Sequence, residues 1–405
     1  MNGAARQRLW VAGAIALPFG LYGWAILIAT AIGHDGTIGP HYNALGTDWA
    51  IFYTAARGFL EGNLTHVYDQ VWLRDTLNAA FAHWLEAPMA YPAFDYPPPF
   101  LLLLLPFGAM PFVASYLSAQ VASAAGLGAS LRAAFGRERF WFLALALLLS
   151  PAASNNVLSG QDMLFVCMLY VIGFALLDKR PLWAGIALGF LCLKPQYGLL
   201  VPVALIAARQ GRVFAVAAAT AALLSLASAA VFGIGFWQSW IALFVHPRHD
   251  VAYTGVDWGR MWDESAYTCA ALLGASKAFA NAVQTAATLS AAALVYVTYG
   301  SQADPTRKLC ILLAAAVVAS PHVSPYDMIL LASAASLYLW DAVAQQAYRP
   351  LHLVLPLAVW LLPLFNPPRA VLLGLATPLL IFAFVLFLMQ RTQLLRLRFG
   401  LLRAA

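Results

Sequence analysis

Apolar residues in this chain come in long blocks, not in alternation. The blocks fall near residues 9–31, 99–130, 140–157, 163–177, 181–193, 196–208, 213–235, 282–299, 309–320, 327–345, 351–365 and 371–389. Several reach the roughly 18 residues that mark a membrane-spanning helix. The strands of an outer-membrane barrel would alternate in polarity, and these blocks do not. The pattern therefore predicts an all-α integral membrane protein of about twelve transmembrane helices. The block 99–130 is long, and Pro106 and Pro111 are expected to break it. Two stretches between blocks, 32–98 and 236–281, are rich in Trp, Tyr, Pro, His and acids. Within the first, "WAIFYTAARGFLEG" and "VWLRDTLNAAFAHWLEA" read as amphipathic helices lying in the outer membrane interface. There is no convincing strand and no convincing internal repeat, so residues 1–405 are expected to form a single polytopic domain.

Composition sharpens this picture. Of the 405 residues, 62% are hydrophobic and 10% charged, against about 25% charged in soluble domains. The N-terminal "RQRLWVAGAIALPFGLYGWAILIATAIG" is too long for a signal-peptide core, lacks a clear cleavage site and is expected to be a retained first span. Four cysteines, Cys167, Cys192, Cys269 and Cys310, lie scattered and mostly in apolar blocks, with no metal-binding spacing. No metal or cofactor is expected. The net charge of +6 raises the question of a nucleic-acid partner, but the placement of the charges answers it differently. With the N-terminus inside, 16 of the 23 basic residues and only 4 of the 17 acids fall in inner segments. That asymmetry satisfies the positive-inside rule, so both termini are expected to be cytoplasmic. The inner loops are too short for a nucleotide-binding domain. Chemistry is therefore expected on the long outer loops.

Six stretches carry candidate side chains. "GTDWAIFYTAARG" (46–58) holds Asp48 with Tyr53 and Arg57 nearby. Thr47 or Asp48 reads equally as a helix N-cap, and cap and base remain open for Asp48. "FDYPPPF" (94–100) would hold Asp95 and Tyr96 on a rigid extended segment. "SGQDM" (159–163) offers Gln161 and Asp162 to a sugar, or forms an ordinary polar turn. Lys194, in "AGIALGFLCLKPQ", lies between apolar runs, where a basic residue is costly. "ASPHVSPYD" (319–327) gathers His322, Tyr326 and Asp327 on a proline-broken turn. "DVAYTGVDWGRMWDES" (250–265) sets Arg260 among Trp258, Trp262, Asp257 and Asp263, as a sugar or phosphate surface or as an interfacial anchor.

Taken in order, these stretches resemble glycosyltransferase family 87, the polyprenyl-phosphate-mannose-dependent mannosyltransferases of GT-C fold. The resemblance runs over residues 46–330: Asp48 in the first outer loop, "YPPPF", a Gly-Gln turn, "AG" with "LKP" across a span, and "SPHVSPYD". In the family the turn usually reads Gly-Gln, a hydrophobic residue and Asn; here it is Gly160-Gln161-Asp162-Met163. The resemblance implies Asp48 as general base, and Lys194 and His322 on the donor phosphate, where Arg260 is a further candidate. Tyr53, Arg57, Asp95, Tyr96, Gln161, Tyr326 and Asp327 are the candidate substrate contacts. It implies an inverting transfer of a hexose, mannose first, from a polyprenyl-phosphate donor to a lipid or glycan acceptor. The location implied is the outer face of a bacterial inner membrane, in contact with membrane lipids. The rival reading is a polytopic transporter or flippase for lipid-linked sugars. That reading would call for similar halves and polar groups at mid-membrane, whereas the polar candidates gather at span ends.

Overall fold

The structure, a computed structural model, describes residues 3–32, 45–82, 88–89, 92–245, 263–344, 351–364 and 371–390. All regular structure among them is helical. The helices are α1 Gly3–Ile32, α2 Thr47–Leu60, α3 Gln70–Ala80, α4 Pro98–Gly108, α5 Phe112–Leu148, α6 Pro151–Ser159, α7 Met163–Ala175, α8 Pro181–Gly189, α9 Pro195–Gly198, α10 Val201–Ala207, α11 Gly211–Phe232, α12 Ile234–Val245, α13 Ala266–Leu272, α14 Lys277–Tyr299, α15 Pro305–Ala319, α16 Ile329–Ala344, α17 Leu351–Leu361 and α18 Val371–Gln390. Local chemistry explains many of their ends. Ser150, Ser265, Ser276 and Asp304 cap the starts of α6, α13, α14 and α15, each accepting from the backbone N–H three residues on. Prolines open α4, α6, α8 and α15, where no N–H is needed.

Three described helices are long and apolar enough to cross a membrane: α5, α11 and α14. The other apolar helices are shorter, so the structure supports helical membrane character more coarsely than the twelve spans read from the pattern. The block 99–130 breaks at Pro111, which caps α5 in extended conformation, while Pro106 is absorbed inside α4. Helix α5 is itself two helices. Gly136 (φ 74°, ψ 177°) turns the chain. Phe140 then comes back within 3.8 Å of the point where a Cβ on Gly128 would stand. The turn falls among Arg132, Arg137 and Arg139, where an inner loop was expected. The 140–157 block is likewise interrupted, at Ser150-Pro151.

The core centres on α15, buried continuously from Leu309 to Ala319. Helices α7, α8, α10, α16 and α18 contribute to the same apolar cluster. A second cluster joins α2, α3 and α4 to Phe232 and Phe236. Away from these cores, Leu223, Leu226, Leu289 and Leu379 are 65–73% exposed; such apolar surface suits lipid, not water.

The first amphipathic stretch does not lie on the surface as expected. Trp49, Ala50, Ile51, Phe52, Ala55 and Ala56 are all buried. The reason is small-residue packing: a Cβ on Gly108 would sit 2.7 Å from Ala56 Cβ, so the backbones of α2 and α4 meet closely. Trp240 Nε1 donates to the Asp95 carbonyl, and Tyr68 packs on Phe236 at 4.5 Å between ring centres. The described parts of the first long segment thus reach the helices α11 and α12. Away from this region Arg139, just past the Gly136 turn, pairs with Asp341 of α16 at 2.6 Å.

Candidate functional site

Asp48 lies in the first turn of α2. Its N-cap is Gly46, left-handed at φ 72° and without a side chain. Neither Thr47 nor Asp48 is the cap, so the capping explanation for Asp48 falls. The half-buried carboxylate instead accepts from Gln161 Nε2 at 2.8 Å. Burial raises it to about 6, tempered by the Gln161 hydrogen bond and by Lys194. An acid with that value is ionised at neutral pH and still basic enough to take a proton.

The contact between α2 and the 159–163 turn is set by glycine. Gly46 N–H donates to the Leu158 carbonyl at 2.6 Å. Gly160, at φ 76°, ends α6 and lies on Trp49: a Cβ there would be 2.5 Å from Trp49 Cβ and 3.2 Å from its N. Gly160→Ala is therefore expected to cost at least about 1–2 kcal/mol from the left-handed backbone alone. It should also separate Gln161 from Asp48. Thermal unfolding and transfer assayed together test this, and a stable, fully active Gly160→Ala would refute it.

From Gln161 a polar chain runs into the protein. Tyr96 OH donates to Gln161 Oε1 at 3.0 Å and approaches Asp162 Oδ1 at 3.1 Å. The Gln161 backbone carbonyl accepts from Gln120 Nε2, and Gln120 Oε1 accepts from Asn156 Nδ2. Asn156 in turn accepts from the Met163 N–H. Lys194 Nζ donates to Asp162 Oδ1 at 2.9 Å and reaches Asp327 Oδ1 at 3.2 Å. Tyr96, Tyr197 and Tyr326 surround the ammonium, with ring centres 5.5–5.6 Å away. Asp327 Oδ2 accepts from Ser324 N–H, closing the proline-broken turn.

His322 sits on that turn with about 55% of its side chain exposed. Its Nδ1 faces Asp263 Oδ2 at 3.0 Å, and its carbonyl accepts from Tyr197 OH at 3.5 Å. Burial of part of the ring disfavours the charged form, but the Asp263 hydrogen bond and charge outweigh it and lift His322 to about 9. Asp48 senses the charges of both His322 and Lys194. Asp48, Tyr96, Gln161, Lys194, His322, Tyr326 and Asp327 therefore converge from five separate stretches.

Three candidates do not join them in the expected way. Tyr53 points away, its OH donating to the Met110 carbonyl at 2.9 Å and its ring against Phe112 and Phe81. Arg57 is exposed and pairs with Glu61 at 2.6 Å, one helical turn on. Both lie more than a turn along α2 from Asp48, on a helix that turns them to other faces. Asp95 is exposed, with its carbonyl bound by Trp240. Arg260 lies outside the described residues, as do Asp257, Trp258 and Trp262. Two residues were not anticipated as partners: Tyr197, three positions past Lys194, and Asp263 as the companion of His322. Both lie in stretches with other apparent jobs, and only the folded chain brings them to the cluster.

An apolar helical bundle that gathers a carboxylate, an exposed imidazole and a buried ion-pair chain at a single cluster defines a helical membrane protein with a polar site among its described residues. The sequence profile of glycosyltransferase family 87 matches residues 94–325, more than half the chain, and the protein belongs to that family. It is thus a glycosyltransferase. The matched stretch holds Tyr96, Gln161, Lys194 and His322, while Asp48 precedes it and Asp327 lies just beyond. No curated protein and no solved structure matches the chain.

Proposed function

We propose that this protein transfers a hexose, with mannose the first candidate, from a polyprenyl-phosphate donor to a lipid or glycan hydroxyl, with inversion. The proposed setting is the outer face of a bacterial inner membrane, in a bundle of about twelve spans of GT-C type with both termini inside. The observation that carries the reading is the placement of a carboxylate raised to about 6 and an imidazole raised to about 9 on one connected polar cluster.

In the reaction, the acceptor oxygen attacks the anomeric carbon and its proton passes to Asp48. The bond from that carbon to the phosphate oxygen breaks, and its electron pair stays on the departing polyprenyl phosphate. General-base help of this kind is worth roughly 10²- to 10⁴-fold. Charge growing on the leaving phosphate calls for a fixed positive donor, and His322 Nε2 is the exposed candidate. Arg260 is proposed as a second. Lys194 takes a different part from that implied by the family likeness. The lysine is 4% exposed and its ammonium is shared between Asp162 and Asp327, which leaves a single buried N–H for any further partner. Its role is to hold Asp162, Asp327 and the tyrosines in register around Asp48. A single base with no second carboxylate acting as nucleophile suits inversion.

The test is the pH profile of kcat/KM for transfer from polyprenyl-phosphate-mannose to a supplied lipid or glycan acceptor. Protonation of Asp48 should remove activity as pH falls through about 6, and loss of the His322 proton should remove it as pH rises through about 9. Transfer that is flat from pH 5 to about 8 would exclude Asp48 as the base.

A further inference from the structure

Asp263 does more than touch His322. Its carboxylate makes four hydrogen bonds: Oδ1 accepts from Ser265 N–H and Val323 N–H, each at 2.9 Å. Oδ2 accepts from Thr268 OH at 2.8 Å and meets His322 Nδ1 at 3.0 Å. Beside it, Glu264 N–H donates to the Val323 carbonyl at 2.7 Å, so residues 263–264 grip residue 323 from both sides. One buried carboxylate (6% exposed) thereby ties two distant segments together and holds the imidazole between them. With Nδ1–H given to Asp263, Nε2 faces outward, and it carries a proton of its own when the ring is charged.

We propose that Asp263 is a positioning residue: it orients His322 and keeps it charged, so that Nε2–H is aimed at the phosphate of the lipid donor. The inference rests on the reading of His322 as the phosphate contact, and adds to it the group through which that contact is prepared. Burial works against the charged form, but the His322 bond and charge, with the Val323 and Ser265 N–H bonds, outweigh it and hold the Asp263 carboxyl below the usual carboxylate range. The other charged groups facing His322 among the described residues are Asp327, Lys194 and Asp48. Asp327 and Lys194 are already paired with each other, and Gln161 holds Asp48, which leaves Asp263 as the direct partner. Glu264, 1% exposed, is pushed by burial to about 8, against a Thr377 hydrogen bond that lowers it, and is mostly neutral at pH 7. It adds no second charge there.

Asp263→Asn tests the idea, because the amide oxygen can still accept from Ser265 and Val323 while the imidazolium loses its counter-charge. The full-length protein in nanodiscs, labelled at histidine Cε1, would be titrated by NMR, with His322→Gln identifying the His322 signal among the 8 histidines. Farnesyl phosphate serves as the probe of phosphate binding. In the wild type, His322 should titrate near 9; in Asp263→Asn it should fall towards the ordinary 6.5. Farnesyl phosphate should bind about 10-fold more weakly to the variant at pH 8, and the deficit should shrink at pH 6, where the ring regains its proton. A purely structural role would weaken binding equally at both pH values. A His322 titration unmoved by Asp263→Asn overturns the proposal. A titration that moves while farnesyl phosphate binds unchanged leaves the pairing intact but overturns the phosphate role of His322, and with it the inference. Should the variant fail to fold, wild-type His322 titrating at or below 6.5 overturns it equally.

Discussion

Replacing Asp48 with Asn is expected to lower sugar transfer by about 10²-fold or more while leaving the protein folded. The two halves of that expectation have separate grounds. Asn keeps the shape of the side chain, and its amide oxygen can accept the Gln161 hydrogen bond that Asp48 Oδ2 now takes. No helix cap is lost, because Gly46 occupies that position. What Asn cannot do is accept a proton from a hydroxyl. Stability should even move the other way at neutral pH. A carboxyl raised from 3.8 to about 6 favours its protonated form in the folded state. Its contribution to stability is therefore complete below the unfolded value and lost as pH rises through about 6. At pH 7 the folded protein carries a charge it would be easier without, and Asn removes it. The measurement is initial-rate transfer beside the thermal unfolding midpoint of the same sample. A stable Asp48→Asn that transfers at the wild-type rate would end the base assignment and shift attention to Asp327, the other carboxylate of the cluster next to Lys194.

The same site shows which parts of the chain were readable and which were not. Blocks of apolar residues announced the helices, since burial in lipid and core demands them at lengths composition alone reveals. Lys194 stood out because a basic residue between apolar runs is costly, and Asp48, Gln161 and His322 because they fall in polar or proline-broken stretches at the ends of such runs. What could not be read was the pairing. Lys194 looked like a free cation awaiting phosphate, and only the fold brings Asp162 and Asp327 to it, from 32 positions before and 133 after. Asp263 and His322 lie 59 positions apart, and no local periodicity links them. Tyr53 and Arg57 misled for the opposite reason. Sequence nearness to Asp48 suggested a shared site, yet a helix sends residues five and nine positions on to other faces. Small residues were the other hidden signal. Gly108 against Ala56 draws α2 into the protein, which an amphipathic pattern alone places on the membrane surface.

Lys194→Met should damage the fold before it damages catalysis, the reverse of what a phosphate ligand would do. The side chain of Met fills much the same volume and keeps apolar contact with Tyr96, Tyr197 and Tyr326. It leaves Asp162, 8% exposed, and Asp327, 1% exposed, without their shared cation. Breaking a buried pair by removing one partner costs about 3–5 kcal/mol, because the remaining charge stays desolvated. Here one lysine serves two carboxylates, so the upper part of that range is expected. Acidification, by neutralising the orphaned carboxylates, should return part of the loss, so the variant should gain more from it than the wild type gains through Asp48. The double variant Lys194→Met/Asp327→Asn should likewise recover stability, since it removes one of the two stranded charges along with their partner. Thermal unfolding of the three proteins at pH 7 and pH 5, with farnesyl phosphate binding measured on those that fold, separates the alternatives. If Lys194→Met unfolds at the wild-type temperature but no longer binds the prenyl phosphate, Lys194 is a donor ligand after all and its pairs with Asp162 and Asp327 are a resting arrangement. If stability falls and the second substitution restores it, the lysine is the centre that holds Asp327 and Asp162 in place, and the burden of meeting the phosphate passes to His322.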